Sequence, residues 1–279
     1  MTNPLLIEKC RILRKKGFTL GKIIKATELP KTTVYDHIYD IPLSIEIKNK
    51  IRQETIRRLK RISPRKKGKC IPGRIVPKPK AWTNELIFLT AHFMFDGEIQ
   101  THSCIYHNRN ETLINRIKSS MKEVFNLEPH KWFNQKTGVH RISYHYVELA
   151  DYTRKKAQKL KRYIKNASLQ EKKIFLQAFF DDEGCVTRWR NKRLVRGFQQ
   201  NLEILKLVQK LLEDFNIQSR IDEKYEELVI SRKENLIKFR DKINFSKGIY
   251  INPERKNSIW KKKLEKREIL DRIINSYKK

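Results

Sequence analysis

The chain of 279 residues contains few cysteines, and their spacing offers no scaffold for a disulfide or a metal ion. The four cysteines are widely separated and no two form a Cys-x-x-Cys pair; they are Cys10, Cys70, Cys104 and Cys185. This spacing argues against a zinc site and against a disulfide framework. We therefore expect reduced thiols and an intracellular protein.

Long hydrophobic runs are also missing. No stretch approaches the ~20 apolar residues that cross a bilayer, and no basic amphipathic helix stands alone as a surface anchor. Residues 1–5 lack the basic region and apolar stretch of a secretory signal. Walker loops and Ser-His-Asp arrangements do not stand out either. Neither a membrane partner nor secretion is expected.

Acidic residues are scarce relative to basic ones. The chain has 63 Lys and Arg residues against 31 Asp and Glu residues, which gives a formal net charge of +32. A surface that is merely solvated by lysine usually carries matching acids. An excess of this size predicts a polyanionic partner, most simply nucleic acid.

One short pattern occurs twice in the chain. Residues 89–97 read LTAHFMFDG and residues 176–184 read LQAFFDDEG. Each copy is an apolar run with alanine in third place, and each ends in an acid followed by glycine. The two copies are separated by about one small structural unit, and their matched positions include the acids Asp96 and Glu183.

Both runs are apolar nearly all round, which predicts two buried helices that pack on each other. Gly97 and Gly184 fit the ends of these helices, where glycine tolerates a left-handed backbone. Asp96 and Glu183 would then lie side by side at helix C-termini. A carboxylate is disfavoured there by the helix dipole, so a compensating cation is expected. Oxygen ligands suit Mg²⁺.

These residues resemble the LAGLIDADG homing endonucleases, in the form that carries both motifs on one chain. The resemblance implies an α+β fold, a pseudo-symmetric pair of αββαββα halves that forms a saddle. It implies cleavage of both strands of a long, non-palindromic duplex DNA site by a monomer, with Asp96 and Glu183 as Mg²⁺ ligands. Two alternatives stay open: a DNA-binding transcriptional regulator that has lost cleavage, and a maturase that binds intron RNA.

The organisation of the chain fits this resemblance. Residues 1–60 read as a small all-α helix-turn-helix domain, and residues 61–80 as a basic, semi-extended linker. Residues 81–168 and 169–279 form two comparable halves, the second with a basic C-terminal helix from Asn252 onwards. Ile142-Ser143 is expected to match Ile230-Ser231, and Asn110 to match Asn201.

Several further residues are candidates for contact with DNA or for help in catalysis. The early residues of the second short helix would face base edges: Lys31, Thr32, Thr33 and Tyr35. Strand residues of the two halves would read bases and phosphates: Gln100, His102, Asn108, Arg109, Arg188, Arg190, Lys192, Arg193 and Arg196. The resemblance also implies a glutamine that positions water and a basic residue near the phosphate. The second half offers Gln199 or Gln200 and Arg232 or Lys233, and the first half offers His107 or Asn108 and Tyr144 or His145.

Overall fold

The computed structural model describes residues 3–66, 76–189, 191–254 and 259–277. The chain divides into two compact units, residues Met1–Ile75 and Val76–Lys279. The helices of the described part include none with the length and apolar character needed to span a membrane.

The first unit is entirely helical in its described part. Its helices are α1 (Pro4–Lys15), α2 (Leu20–Thr27), α3 (Lys31–Ile38) and α4 (Ile45–Lys66). Cys10, Ile23, Val34 and Ile38 are buried and form one apolar cluster between α1, α2 and α3. Glu28 adopts a left-handed backbone (φ 56°), which ends α2 and turns the chain into α3.

The second unit contains the two predicted halves, which confirms the α+β fold. The first half consists of α5 (Asn84–Met94), β1 (Gly97–Ile99), β2 (Cys104–Asn108), α6 (Glu111–Phe125), β3 (His130–Asn134), β4 (Val139–Tyr144) and α7 (Val147–Tyr163). The second half consists of α8 (Leu169–Glu183), β5 (Gly184–Trp189), β6 (Lys192–Phe198), α9 (Leu202–Glu213), β7 (Ser219–Asp222), β8 (Glu227–Ile230) and α10 (Lys233–Lys242). A last helix, α11, spans Lys266–Asn275.

Each half contains one antiparallel four-stranded sheet with the same strand order, β1-β2-β4-β3 in the first and β5-β6-β8-β7 in the second. The strand register relates the halves residue by residue. Gly97 pairs with Tyr106 in the first sheet, and Gly184 pairs with Gly197 in the second. The motif glycines therefore hold equivalent places, and so do Tyr106 and Gly197.

The two motif helices, α5 and α8, are packed against each other in one apolar core. Ala91 and Ala178 are fully buried, as expected of small residues between close helices. The ring of Phe95 lies edge-on to the rings of Phe175 and Phe179, with centroids 5.5 and 5.3 Å apart. Burial on all sides explains why neither motif shows a polar helix face.

Three sequence-based expectations about local structure were wrong. Residues 61–66 belong to α4 rather than to an extended linker, and residues 67–75 lie outside the described part. The basic C-terminal helix begins at Lys266 rather than Asn252. The register pairs Ile142 with Tyr106 and Leu228 with Gly197. Ile142 is therefore equivalent to Leu228, two residues before the predicted Ile230.

Candidate active site

The two motif acids lie immediately before the strand that follows each motif helix. In each motif the strand begins at the glycine, so its backbone runs back across the last helical turn. A Cβ atom on Gly97 would lie 2.4 Å from the Cα of Phe93, and one on Gly184 would lie 2.3 Å from the carbonyl oxygen of Phe180. Gly184 has a φ of −89°, so the left-handed conformation predicted for it is absent. Glycine is required here by close backbone approach.

A side-chain amide from the neighbouring strand contacts each acid. The Asn108 amide donates a hydrogen bond to Asp96 over 2.9 Å, and the Gln199 amide donates one to Glu183 over 3.3 Å. The carbonyl oxygen of each amide accepts a hydrogen bond from the backbone two residues later, at Asn110 (2.8 Å) and Asn201 (3.3 Å). Each acid is thus held by an amide whose orientation is itself fixed.

At each of these two positions the sequence left two alternative candidates, and the structure shows which one contacts the acid. Gln199 faces Glu183, whereas its neighbour Gln200 is exposed. Asn108 faces Asp96, whereas His107 pairs with Arg141 and points to the opposite face of the sheet.

Burial and like charge shift the titration of both acids. The pKa of Asp96 is raised to about 8, first by burial and then by the nearby charges of Asp182 and Glu183. The pKa of Glu183 is raised to about 7 by burial and by Asp182. Lys266 lowers both values but does not cancel the increase. Both acids are therefore harder to ionise than a free carboxylic acid, and Lys266 alone does not restore their usual pKa.

Lys266, a residue that sequence analysis missed, supplies a buried positive charge at the end of α8. Its ammonium group donates hydrogen bonds to the carbonyl oxygens of Phe180 (3.2 Å) and Asp181 (2.8 Å). A cation stabilises the negative end of a helix. The sequence signal was lost because Lys266 is one of many basic residues near the C-terminus.

Two acids beside Glu183 face the protein interior. Asp181 was expected on the helix surface, but it is buried and accepts a hydrogen bond from the backbone of Ser246 over 2.8 Å. Asp182 was set aside in favour of Glu183, yet its carboxylate contacts His92 at 2.8 Å and Tyr106 at 2.6 Å. The sequence clue was His92, a polar residue inside an apolar motif.

The donor set of the site fits a divalent cation that prefers oxygen ligands. Within the described part of the chain, no group of three or more His, Cys, Asp or Glu side chains is arranged to hold a metal ion by itself. Asp96 and Glu183 provide carboxylate oxygens, and burial together with the neighbouring carboxylates raises the pKa of each, so a bound cation would favour their ionised form. Hard cations such as Mg²⁺ commonly use one or two carboxylates and complete their shell with water and substrate phosphate.

The strand register places Arg232 and Lys233 away from Gln199, the residue that contacts Glu183. They follow β8, whose last residue, Ile230, lies opposite Val195. Gln199 lies four residues further along the chain from Val195, about 13 Å away at the rise of a strand. In the first half, the residues equivalent to Arg232 and Lys233 are Tyr146 and Val147, since Tyr144 is equivalent to Ile230. The expectation that placed Tyr144 and His145 there was wrong by the same two residues.

Several predicted DNA contacts already have partners inside the protein. Arg193 donates to the side chain and the backbone carbonyl of Ser276, over 2.7 and 2.6 Å. Arg196 forms an ion pair with Glu227 at 3.0 Å. Arg109 donates to the carbonyl of Thr137 over 2.9 Å. These guanidinium groups stabilise the fold, which makes them weaker candidates for binding phosphate.

The remaining predicted contacts are mostly free for a partner. On the second unit the exposed ones are Gln100, His102, Arg188 and Lys192. Gln100 is engaged with Glu98 and Ser103 in its hairpin, and Arg190 lies outside the described residues. On α3, Lys31, Thr32 and Tyr35 are exposed, and Thr33 is half-buried.

Sequence analysis also missed a shallow groove on the first sheet. It is lined by His130, Lys131, Trp132, Arg141, Ser143 and His145. The rings of His130 and His145 lie 5.3 Å apart across it. Aromatic and basic side chains on one strand surface suit contact with bases and phosphates. No motif marked this groove because its residues come from separate strands.

Comparison with known proteins agrees with this architecture. Residues 170–244 match the family model described as a LAGLIDADG-like domain. The chain carries a LAGLIDADG-like domain. No curated protein sequence matches the chain well enough to count as a relative.

Solved structures similar to this chain include a homing endonuclease and DUF199/WhiA. Mesophilic variants of the homing endonuclease I-DmoI match with 14% identity and a TM-score of 0.44, over 61% of this chain and 94% of theirs. I-DmoI has also been solved in complex with DNA and Mn and with DNA and Ca. The N-terminal LAGLIDADG domain of DUF199/WhiA matches with 16% identity and a TM-score of 0.46, over 60% of this chain and 84% of that domain. Full-length DUF199/WhiA from Thermatoga maritima matches with 16% identity and a TM-score of 0.47, over 72% of this chain and 63% of that protein.

Proposed function

We propose that this protein is a site-specific DNA endonuclease that hydrolyses one phosphodiester on each strand of a long duplex site, with Mg²⁺ as cofactor. The observation that carries the proposal is the pair of half-buried motif acids, Asp96 and Glu183, each held by a strand amide. A protein that only binds DNA gains nothing from carboxylates that phosphate would repel. Two such acids at equivalent positions would allow one acid to act on each strand of the DNA.

The residues of the site would have the following roles. Asp96 and Glu183 hold the cation, and Asn108 and Gln199 hold the acids in place. A divalent cation in such a site supplies charge stabilisation and activates water for attack on phosphorus. Lys266 keeps the end of α8 neutralised while the acids are ionised.

The substrate follows from charge and from the asymmetry of the site. The net charge of +32 supplies contacts along a phosphate backbone. One half presents Asp96 with Asn108, and the other presents Glu183 with Gln199. Unequal halves on one chain favour a monomer that binds a non-palindromic site.

A regulator that binds DNA without cutting it is the second candidate. The observation in its favour is the first unit, where α2 and α3 are joined by a short turn and α3 exposes Lys31, Thr32 and Tyr35. These features suit a recognition helix in the major groove. Such a unit serves an endonuclease equally well, so it does not outweigh the two acids. No described feature favours intron RNA over duplex DNA.

Cleavage of a randomised duplex library tests the proposal. The protein is incubated with the library and Mg²⁺, and the cut ends are sequenced. The proposal predicts one long asymmetric consensus, cut at fixed positions on both strands, and no cutting in EDTA. Enrichment of a bound consensus without any cut ends would favour the regulator instead.

A further inference from the structure

A group of buried polar side chains lies behind Asp96. The carboxylate of Asp182 accepts a hydrogen bond from the Tyr106 hydroxyl over 2.6 Å and lies 2.8 Å from Nδ1 of His92. All three side chains are fully buried. Asp182 comes from α8 of the second half, whereas His92 and Tyr106 come from α5 and β2 of the first. The contact therefore joins the two halves directly behind one acid.

The hydrogen bonds run in one direction from this group to Asp96. The carbonyl oxygen of Asn108 accepts from the backbone of Asn110, so the NH₂ group of the amide must face the other way. That NH₂ group lies 2.9 Å from Asp96 and 3.3 Å from the Tyr106 oxygen. Tyr106 can accept there because its own proton is directed to Asp182. Asp182 thus fixes Tyr106, and Tyr106 helps to fix the amide that holds Asp96.

Among the residues that the structure describes, no equivalent polar group lies behind Glu183. The register and the motif alignment place Gly197 at the position of Tyr106, Phe179 at that of His92 and Phe95 at that of Asp182. A Cβ atom on Gly197 would lie 2.3 Å from the Phe179 ring, so this ring occupies the space beside the strand. Phe95 packs on the same ring with centroids 5.3 Å apart. The three polar residues behind Asp96 are thus replaced by an apolar set behind Glu183.

We propose that Tyr106 and Asp182 are positioning residues for the Asp96 site alone, and that the two cleavage sites are therefore supported differently. The inference rests on the proposed function, since it concerns how one of the two acids is held. Loss of the Tyr106 hydroxyl would leave Asn108 free to turn away from Asp96. The Glu183 site would keep Gln199 and its support from Asn201.

Tyr106→Phe tests the proposal because it removes one oxygen atom and keeps the ring. Tyr144→Phe is the matched control, since Tyr144 is also fully buried in the first sheet. Its hydroxyl has no hydrogen-bond partner among the residues the structure describes. Each strand of the target duplex carries its own label, and the two cleavage rates are measured separately. Asn108→Ala and Gln199→Ala identify which strand each site serves.

The proposal predicts that Tyr106→Phe slows cleavage of the Asn108-dependent strand by about 10- to 100-fold, the usual effect of losing a residue that orients a metal ligand. The other strand should be cut at the wild-type rate, so nicked duplex accumulates. Tyr144→Phe should cut both strands normally. Equal slowing of both strands, or no slowing of either, would overturn the proposal.

A second measurement does not depend on cleavage. Calorimetric titration of the full protein with Mn²⁺ should show a dissociation constant raised about tenfold or more in Tyr106→Phe and unchanged in Tyr144→Phe. An unchanged constant in Tyr106→Phe would contradict the positioning role even if the wild-type protein cuts no DNA. Absence of cutting by the wild-type protein would instead contradict the proposed function, so the two failures are distinguishable.

Discussion

Asn108 and Gln199 occupy equivalent positions in the two halves, each two residues beyond the partner of a motif glycine. Each donates a side-chain hydrogen bond to the acid of its own motif, Asn108 to Asp96 and Gln199 to Glu183. The repeat therefore extends beyond the motif helices to the strand residues that hold the acids.

The raised pKa values of the acids predict a pH-dependent stability. An aspartate in an unfolded chain titrates near pH 4, whereas Asp96 in the folded protein titrates at about 8. As pH rises through this window the unfolded chain releases a proton that the folded protein retains, so stability is lost. In EDTA, Asp96→Asn should therefore melt at a higher temperature than the wild type at pH 9, and the difference should shrink at pH 5.

The expected size can be estimated. Each kcal/mol of stability gained would raise the Tm by roughly 2–4 °C in a unit of this size. Asp151→Asn is the control, because Asp151 is exposed and pairs with Lys155. A Tm difference between Asp96→Asn and the wild type that does not change with pH would contradict the account of the site's charge.

The close approach at the motif glycines predicts a large effect of one added methyl group. Gly184→Ala would place a Cβ atom 2.3 Å from the Phe180 carbonyl oxygen, which belongs to the backbone and cannot move aside. Unfolding by urea should show a loss of about 1–3 kcal/mol. Gly21→Ala is the control. It adds a methyl group within α2 with no atom inside 4 Å and should be neutral or slightly stabilising. Equal effects of the two changes would remove the steric explanation.

Sequence analysis predicted the repeat, the order of helices and strands and the two acids. The repeat and the acids follow from local patterns, namely apolar helices and an acid before glycine, and the order of helices and strands follows from the family resemblance. It did not predict the charge balance at the site. Lys266 reaches the end of α8 from a distant helix, and Asp182 bonds across to the first half. Such contacts depend on how separate elements pack, which a single sequence does not reveal. The left-handed conformation predicted for Gly184 was also wrong, because glycine is required there by the backbone atoms of the preceding helical turn, which leave no space for a Cβ atom.

The exposed face of α3 predicts a share in sequence recognition. Lys31→Ala combined with Thr32→Ala should weaken binding to the cleavage site by about tenfold or more, because each base contact contributes about 1–3 kcal/mol. Binding to unrelated duplex should change little. Lys22→Ala, an exposed change on α2, is the control. Unchanged footprint and affinity in the double variant would mean that α3 does not contact the target DNA.

The charge of the chain predicts a steep salt dependence of DNA binding. Each neutralised phosphate contributes about 0.9 to the slope of log affinity against log salt, so ten contacts would give roughly −9. Equilibrium binding to a long duplex across salt concentrations measures this slope. A slope shallower than about −3 would mean fewer than about four phosphates are contacted, and the net charge of +32 would then need another explanation.

The central claim is that Asp96 and Glu183 are needed for DNA cleavage and are not needed for DNA binding. The most direct test measures, on the same target duplex and in Mg²⁺, both the cleavage rates and the affinity of Asp96→Asn and Glu183→Gln. The account predicts that each change abolishes double-strand cutting while affinity stays within about threefold, because a metal ligand is lost and the basic surface is kept. Double-strand cutting at the wild-type rate by either variant would contradict the account.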